Sequence, residues 1–137
     1  MPFVLDASIV ACWAFLDEEH PVADLALERI RLDEVHVPAL WWFEVRNILI
    51  TNERRKRITE RDTAGFLRGL ARLRVTIDRS PDETEVLMLA RRHRLSVYDA
   101  SYLELARRDG ILLASLDRAL VAAAPSIGVN LLGSTAI

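Results

Sequence analysis

At 137 residues the chain has the size of one domain, long enough to bury roughly two thirds of its unfolded surface behind a single core without a staple. Its apolar fraction of 51%, charged fraction of 28% and net charge of -2 are those of an ordinary globular protein, and they exclude whole-molecule attraction to nucleic acid. Any such contact has to come from a local patch or a metal. The one cysteine, Cys12, lies in the apolar run from Ile9 to Trp13 and excludes an internal disulfide framework.

In chain order, Phe3, Val4 and Leu5 form a short apolar run that stops at Asp6, and Ile9, Val10, Trp13 and Ala14 follow at helical spacing, so the chain opens as strand then helix. Pro21 opens a second helix carrying Val22, Leu25, Ala26 and Ile30. A brief strand, Val35 to Pro38, precedes helices over about 40–55 and 59–72. Arg74 to Asp78 reads as the next strand, and Ser80-Pro81-Asp82-Glu83 starts a helix that ends near His93. A helix from about Asp99 to Arg108 stops at Gly110, which suits a left-handed C-terminal position. Ile111 to Ala114 reads as a strand, Asp117 caps a short helix, and Gly128 to Leu132 reads as a last strand. Strands alternating with helices predict one parallel sheet covered on both faces, with no repeat, linker or low-complexity segment over residues 1–137. The start MPFVLDASIV has no basic leader region and no apolar run approaches the ~18 residues of a membrane span, so a cytoplasmic protein without membrane contact is expected.

Four acids stand in apolar company: Asp6 and Asp117 directly after strands, Asp99 at a helix start, and Glu44 on a stripe with Leu40, Trp41, Asn47 and Ile48. The other sixteen of the 20 acids read as solvated surface. Taken singly, Asp99 and Asp117 are also plain helix caps, Asp6 a turn former, and Glu44 a core acid paired with Arg46 or another arginine. Together, four carboxylates at one edge of one sheet would repel unless a cation neutralised them or one took up a proton. Their all-oxygen character suits Mg²⁺ or Mn²⁺, and His20, His36 and His93 fall elsewhere. Such a metal site has a natural substrate in a phosphodiester, whose oxygens a cation binds and whose hydrolysis it assists.

With these residues assembled, the chain resembles the PIN-domain family, and within it the VapC-type ribonuclease toxins of VapBC toxin-antitoxin modules. The matching pieces are VLDASIV around Asp6, WWFEVRNIL around Glu44, LSVYDASYLELA around Asp99 and LLASLDRAL around Asp117, in order and spread over nearly the whole chain. The resemblance implies a three-layer α/β/α sandwich with a central parallel sheet. It further implies a Mg²⁺-dependent endoribonuclease acting on RNA, a homodimer, and a small VapB-like antitoxin partner. By position it implies Asp6, Glu44, Asp99 and Asp117 as the acidic quartet that holds metal, Ser8 as the hydroxyl residue after the first acid, and Ser115 where many members have threonine. Asn47, one turn beyond Glu44, is expected with Ser115 to orient ligands or the attacking water.

Other folds with strand-end acids fit less well. A receiver domain needs a late lysine, and the only lysine is Lys56; a haloacid-dehalogenase-type phosphatase wants an Asp where Ser8 stands. No glycine-rich phosphate loop is present. A non-catalytic module whose acids dock a partner's arginines, and a PIN nuclease without an antitoxin, stay open. Seventeen arginines accompany that one lysine, and the run Arg54-Arg55-Lys56-Arg57 reads either as helix C-terminal charge or as a phosphate patch. Of the three tryptophans, Trp13 and Trp41 fit core stripes, and Trp42 is the surface aromatic, a candidate interface contact.

Overall fold

The computed structural model describes residues 1–15 and 17–134. Within them four short strands, β1 (Phe3–Leu5), β2 (Val35–Pro38), β3 (Val75–Asp78) and β4 (Leu112–Ala114), form one parallel sheet in the order β3-β2-β1-β4. Every residue of β1 is fully buried, as a strand covered by helices on both faces must be.

Most of the helices begin at a side chain that caps them. In α1 (Ala7–Ala14) the N-cap position holds Asp6, whose carboxylate makes no cap hydrogen bond, and α2 (Pro21–Ile30) has Pro21 in its first turn, where a missing N–H costs nothing. The indole of Trp13 donates to the Ala23 carbonyl at 2.8 Å and ties α1 to α2. Helix α3 (Leu40–Arg54) buries Trp41, Val45, Leu49 and Asn52. Thr59 and Asp62 form a reciprocal capping box at the start of α4 (Glu60–Leu70). Asp82 caps α5 (Glu83–His93), and Ser96 caps α6 (Val97–Asp109), which ends at Gly110 with φ 65°. Asp117 caps α7 (Arg118–Ala123) through the amides of Ala119 and Leu120. The predicted α/β/α architecture with a central parallel sheet is the observed one.

Three expectations are corrected. The predicted fifth strand, Gly128 to Leu132, is reduced to an isolated parallel bridge between Leu131 and Leu113, because a short 3-10 turn (Ala124–Ile127) and Gly128 at φ 78° leave too little extended chain. Asp99 does not cap its helix: α6 starts two residues earlier, and Asp99 gives its own amide to the Ser96 hydroxyl at 3.0 Å. Glu104, counted among the solvated acids, is 1% exposed and paired with Arg108, whose Nε lies 2.7 Å from it.

The topology selects one place for a site. From β1 the chain moves through β2 to β3 on one side and returns to the other side of β1 to form β4, so the order reverses between β1 and β4. The crevice beyond the carboxyl ends of strands at such a reversal is where open α/β sheets bind ligands. Asp6 and Ser115 are the residues that leave β1 and β4 at that point.

Candidate active site

The site is built on the β1–β4 pair. The Asp6 amide extends the ladder to the Ala114 carbonyl at 2.9 Å, which fixes the residue at the sheet's end. Its carboxylate is 6% exposed, and Oδ2 accepts hydroxyl protons from both Ser8 and Ser115, each at 2.7 Å. Those hydroxyls are held in turn: the Leu116 amide donates to Ser8 Oγ and the Asp117 amide to Ser115 Oγ, both at 3.0 Å. Two serines therefore share one oxygen of Asp6.

The other acids arrive from three further elements. Glu44 sits half-buried on α3 and accepts the Tyr102 hydroxyl proton at 2.5 Å. Burial pushes the Tyr102 phenol far above its usual range, with the nearby Asp6 and Glu44 charges adding to it, so Tyr102 remains a donor. Asp99 is half-buried in the first turn of α6, and Asp117 spends Oδ1 on the cap of α7.

Electrostatics binds the four into one cluster. Burial raises the Asp6 pKa, the Ser115 and Ser8 hydrogen bonds oppose it, and the Asp117 charge adds to it. Burial likewise raises Glu44, against the pull of Tyr102, and the charges of Asp6, Asp99 and Asp117 raise it further. Asp99 is raised by burial first, then by Asp117 and Asp6. Asp6, Glu44 and Asp99 are thus each raised by the charge of at least one other acid, while no lysine, arginine or histidine is ion-paired with any of the four among the described residues.

Among the described residues no three His, Cys, Asp or Glu side chains close into a cage by themselves. The donor set is nevertheless all carboxylate and hydroxyl oxygen, which fits Mg²⁺ or Mn²⁺, ions that keep several waters and need few protein ligands. Asp6 and Asp99 would hold such an ion, with Glu44 and Asp117 completing its surroundings. A bound divalent cation supplies charge to a phosphodiester oxygen and lowers the pKa of water. The chain's own part is to orient these oxygens: Ser8 and Ser115 fix Asp6, and Tyr102 fixes Glu44.

Of the residues singled out in the sequence, Asp6, Ser8, Ser115 and Asp117 meet through hydrogen bonds, and Glu44 and Asp99 join them through charge. Asn47 is exposed on α3 and makes no hydrogen bond to the cluster. Tyr102 was missed, although its spacing three residues after Asp99 places both on neighbouring turns of α6. The alternative reading of Glu44 as a core acid paired with Arg46 or another arginine finds no such ion pair among the described residues: Arg46 donates to the Trp42 carbonyl and stacks on the Trp42 ring, its guanidinium carbon 4.1 Å from the centroid.

The acids thus gather at the topological switch point of a parallel α/β domain, where open sheets of this kind bind ligands. Residues 3–124 match the family model described as PIN domain, and the chain belongs to the PIN-domain family. It is 31% identical over 131 residues to Ribonuclease VapC3 of Pyrobaculum aerophilum, an alignment spanning 93% of this chain and 98% of that protein. The crystal structure of PAE2754 from Pyrobaculum aerophilum superposes with a TM-score of 0.67 at 26% identity, covering 90% of this chain and 87% of the other.

Proposed function

We propose that the protein is a Mg²⁺- or Mn²⁺-dependent endoribonuclease, the toxin of a VapBC-type module, that hydrolyses RNA phosphodiester bonds in the cytoplasm. The observation that carries the reading is the buried Asp6 carboxylate, surrounded by three further acids and given hydroxyls but no cation by its own chain. In a PIN-domain chain similar to a ribonuclease, the cation that completes such a pocket and the phosphodiester that follows it are the natural occupants. Asp6 and Asp99 are the principal metal ligands, Glu44 and Asp117 assist, and Ser8, Ser115 and Asn47 orient ligands or water.

Control follows from the same charge. A VapB-like antitoxin inhibits by placing an arginine or lysine among the acids, through charge-assisted hydrogen bonds, where the metal would sit. Its apolar tail has a seat in a surface groove of about 840 Å³ whose lining includes Phe15, Ile58, Phe66, Arg57 and Arg61. A homodimer is part of this reading. No helix among the described residues is long and apolar enough to cross a membrane.

The test is cleavage of a mixed-sequence RNA by the purified protein with Mg²⁺, with Mn²⁺ and with EDTA, before and after addition of the protein encoded by the neighbouring reading frame. Metal-dependent cleavage suppressed by that partner is the expected result. Metal-dependent cleavage without a binding partner would leave a stand-alone nuclease, and specific peptide binding with no cleavage in any metal would leave a binding module.

A further inference from the structure

The sheet has an open edge at β3, and its backbone there is unpaired. The Arg74 carbonyl accepts from the Val35 amide at 2.9 Å, and the parallel register continues with Thr76 opposite His36 and Asp78 opposite Pro38. Along a strand, alternate residues turn their amide and carbonyl to the same side, so Arg74, Thr76 and Asp78 face β2 while Val75 and Ile77 turn theirs outward. Those outward groups have no backbone partner among the described residues, because β3 pairs with β2 alone. Such an edge is a template for a strand from another chain.

A cleft opens beside this edge. Its lining includes Val75 and Ile77 from β3, Leu70 and Leu73 from the end of α4 and the turn after it, and Trp41 and Arg46 from α3. It shares no residue with the acid cluster or with the groove that holds Phe15 and Phe66. Its volume of about 200 Å³ is below the ~300–1,000 Å³ of small-molecule pockets and suits the side chains of an added strand.

The polar groups of the cleft are donors and cations. Trp41 is 3% exposed, and its indole N–H has no acceptor among the described residues. Arg46 lies over the Trp42 ring and donates to the Trp42 carbonyl, but it forms no ion pair among the described residues, and burial holds its guanidinium below the usual arginine range. Arg72, Arg74 and Arg79, which flank or adjoin the ends of β3, are exposed and equally without an ion pair among the described residues. The one acid of the strand, Asp78, is already taken by both of its oxygens to Arg108.

Charge decides between the occupants. A second copy laying its own β3 here would set arginines against arginines and bring no free acid, and charged side chains of this kind blunt self-pairing at an edge. Nucleic acid would answer the arginines but leave the strand edge and the apolar cleft unused. An acidic peptide answers all three.

We propose that β3 is a docking edge for an extended acidic segment of a partner protein, which adds as a strand beside Val75 and Ile77, sets apolar side chains in the cleft and gives an Asp or Glu carboxylate to Arg46. The main-chain bonds supply affinity, and the cleft with Arg46 supplies selection.

The probe is a fluorescein-labelled octapeptide of alternating valine and glutamate, titrated with the full chain and followed by anisotropy. It should bind, and an octapeptide of alternating valine and lysine should not. Arg46→Gln should weaken binding by about three- to tenfold, and Arg46→Lys should recover part of the loss. Hydrogen exchange followed by nuclear magnetic resonance gives a readout that charge attraction alone does not move. The amides of Val75 and Ile77 should exchange openly in the free protein and become protected with the peptide bound, while those of Thr76 and Asp78, which face β2, stay as they were. No binding of the glutamate peptide, equal binding of the lysine peptide, or binding without protection of Val75 and Ile77 overturns the inference. Protection of those two amides already in the free protein, with sedimentation showing a dimer, gives the edge to a second copy and overturns it too. Displacement of the labelled peptide by an unstructured RNA decamer as effectively as by unlabelled peptide overturns it in favour of nucleic acid.

Discussion

Two carboxylates are carried into the interior of this domain, and the chain treats them in opposite ways. Glu104 on α6, 1% exposed, receives two hydrogen bonds from Arg108, at 2.7 Å to Oε2 and 2.9 Å to Oε1. Arg108 then bonds both oxygens of Asp78 at the end of β3, so α6 is fastened to the edge strand. Asp78 first, and Glu104 after it, push the Arg108 pKa upward, and the guanidinium holds Asp78 below the usual carboxylate range. Asp6, 6% exposed at the end of β1, receives two serine hydroxyls and three acidic neighbours. Burial alone therefore does not mark a functional acid. What distinguishes the two is whether the sequence supplies the compensating charge: Arg108 does so for Glu104, and no cationic side chain does so for Asp6 among the described residues.

The sharpest way to break this comparison is to remove the charge at the cluster. Asp6→Asn or Asp99→Asn should reduce Mg²⁺-dependent RNA cleavage to background and abolish the calorimetric signal of Mn²⁺ binding, while the far-ultraviolet circular dichroism is unchanged. Glu44→Gln should nearly remove cleavage as well, since it keeps the Tyr102 hydrogen bond but not the charge. Full metal binding by Asp6→Asn would show that the two buried acids are alike after all.

The paired acid should fail in a different currency. Arg108→Leu strands Glu104 in the core without its cation, and urea unfolding should register a loss of about 3–5 kcal/mol. The double change Glu104→Leu with Arg108→Leu removes both charges and should recover most of that loss. Cleavage per folded molecule should survive in both variants at a temperature where they remain folded. If the double variant is no more stable than the single one, the cost lies in packing and not in the uncompensated charge.

The comparison also explains what could be read from the letters. Asp6, Glu44, Asp99 and Asp117 were legible because each interrupts an apolar pattern, and β1, β2, α3 and α6 were legible because their periods are strong. Glu104 interrupts the pattern of α6 just as plainly, but Arg108 four residues on made the pair look like an ordinary surface ion pair. Whether such a pair faces water or core depends on which side of α6 meets β2, a tertiary fact no local spacing contains. The same holds for Tyr102 and Glu44, which are 58 residues apart and meet only because α3 and α6 converge at one edge of the sheet. The last strand failed for a local reason: its apolar letters suit an edge strand, yet the turn before it leaves only Leu131 in register.

Smaller effects sharpen the inner arrangement of the cluster. Ser115→Ala removes one of the two hydroxyls that fix Asp6 and should lower activity toward the upper end of the 10- to 100-fold loss typical of groups that orient a metal ligand. Asn47→Ala should fall at about tenfold, because Asn47 is exposed and bonds none of the acids. Steady-state cleavage assays at saturating Mg²⁺ check the order. An Asn47→Ala loss larger than that of Ser115→Ala would mean that Asn47 touches substrate directly.

The smallest expected effect is on stability and has a definite sign in pH. Asp6, Glu44 and Asp99 all have folded-state pKa values above their ordinary ones, by burial first and mutual repulsion after it. The folded protein therefore binds protons more tightly than the unfolded chain, and the cluster's contribution to stability is fully present below the ordinary carboxylate range and is lost as pH rises through the raised values. In EDTA, Asp6→Asn should consequently be more stable than the parent at pH 8, by about 0.5–2 kcal/mol, and the gap should close as pH falls toward 4. Millimolar Mg²⁺ should close it from the other direction, because a cation that binds only the folded parent adds about 2.7 kcal/mol at a hundred times its Kd. Urea unfolding of both proteins at pH 4, 6 and 8, with and without Mg²⁺, measures all of these differences. A gap that is flat across that range, or that Mg²⁺ leaves unchanged, would mean that Asp6 is satisfied by Ser8 and Ser115 alone and that its neighbours' charges do not reach it.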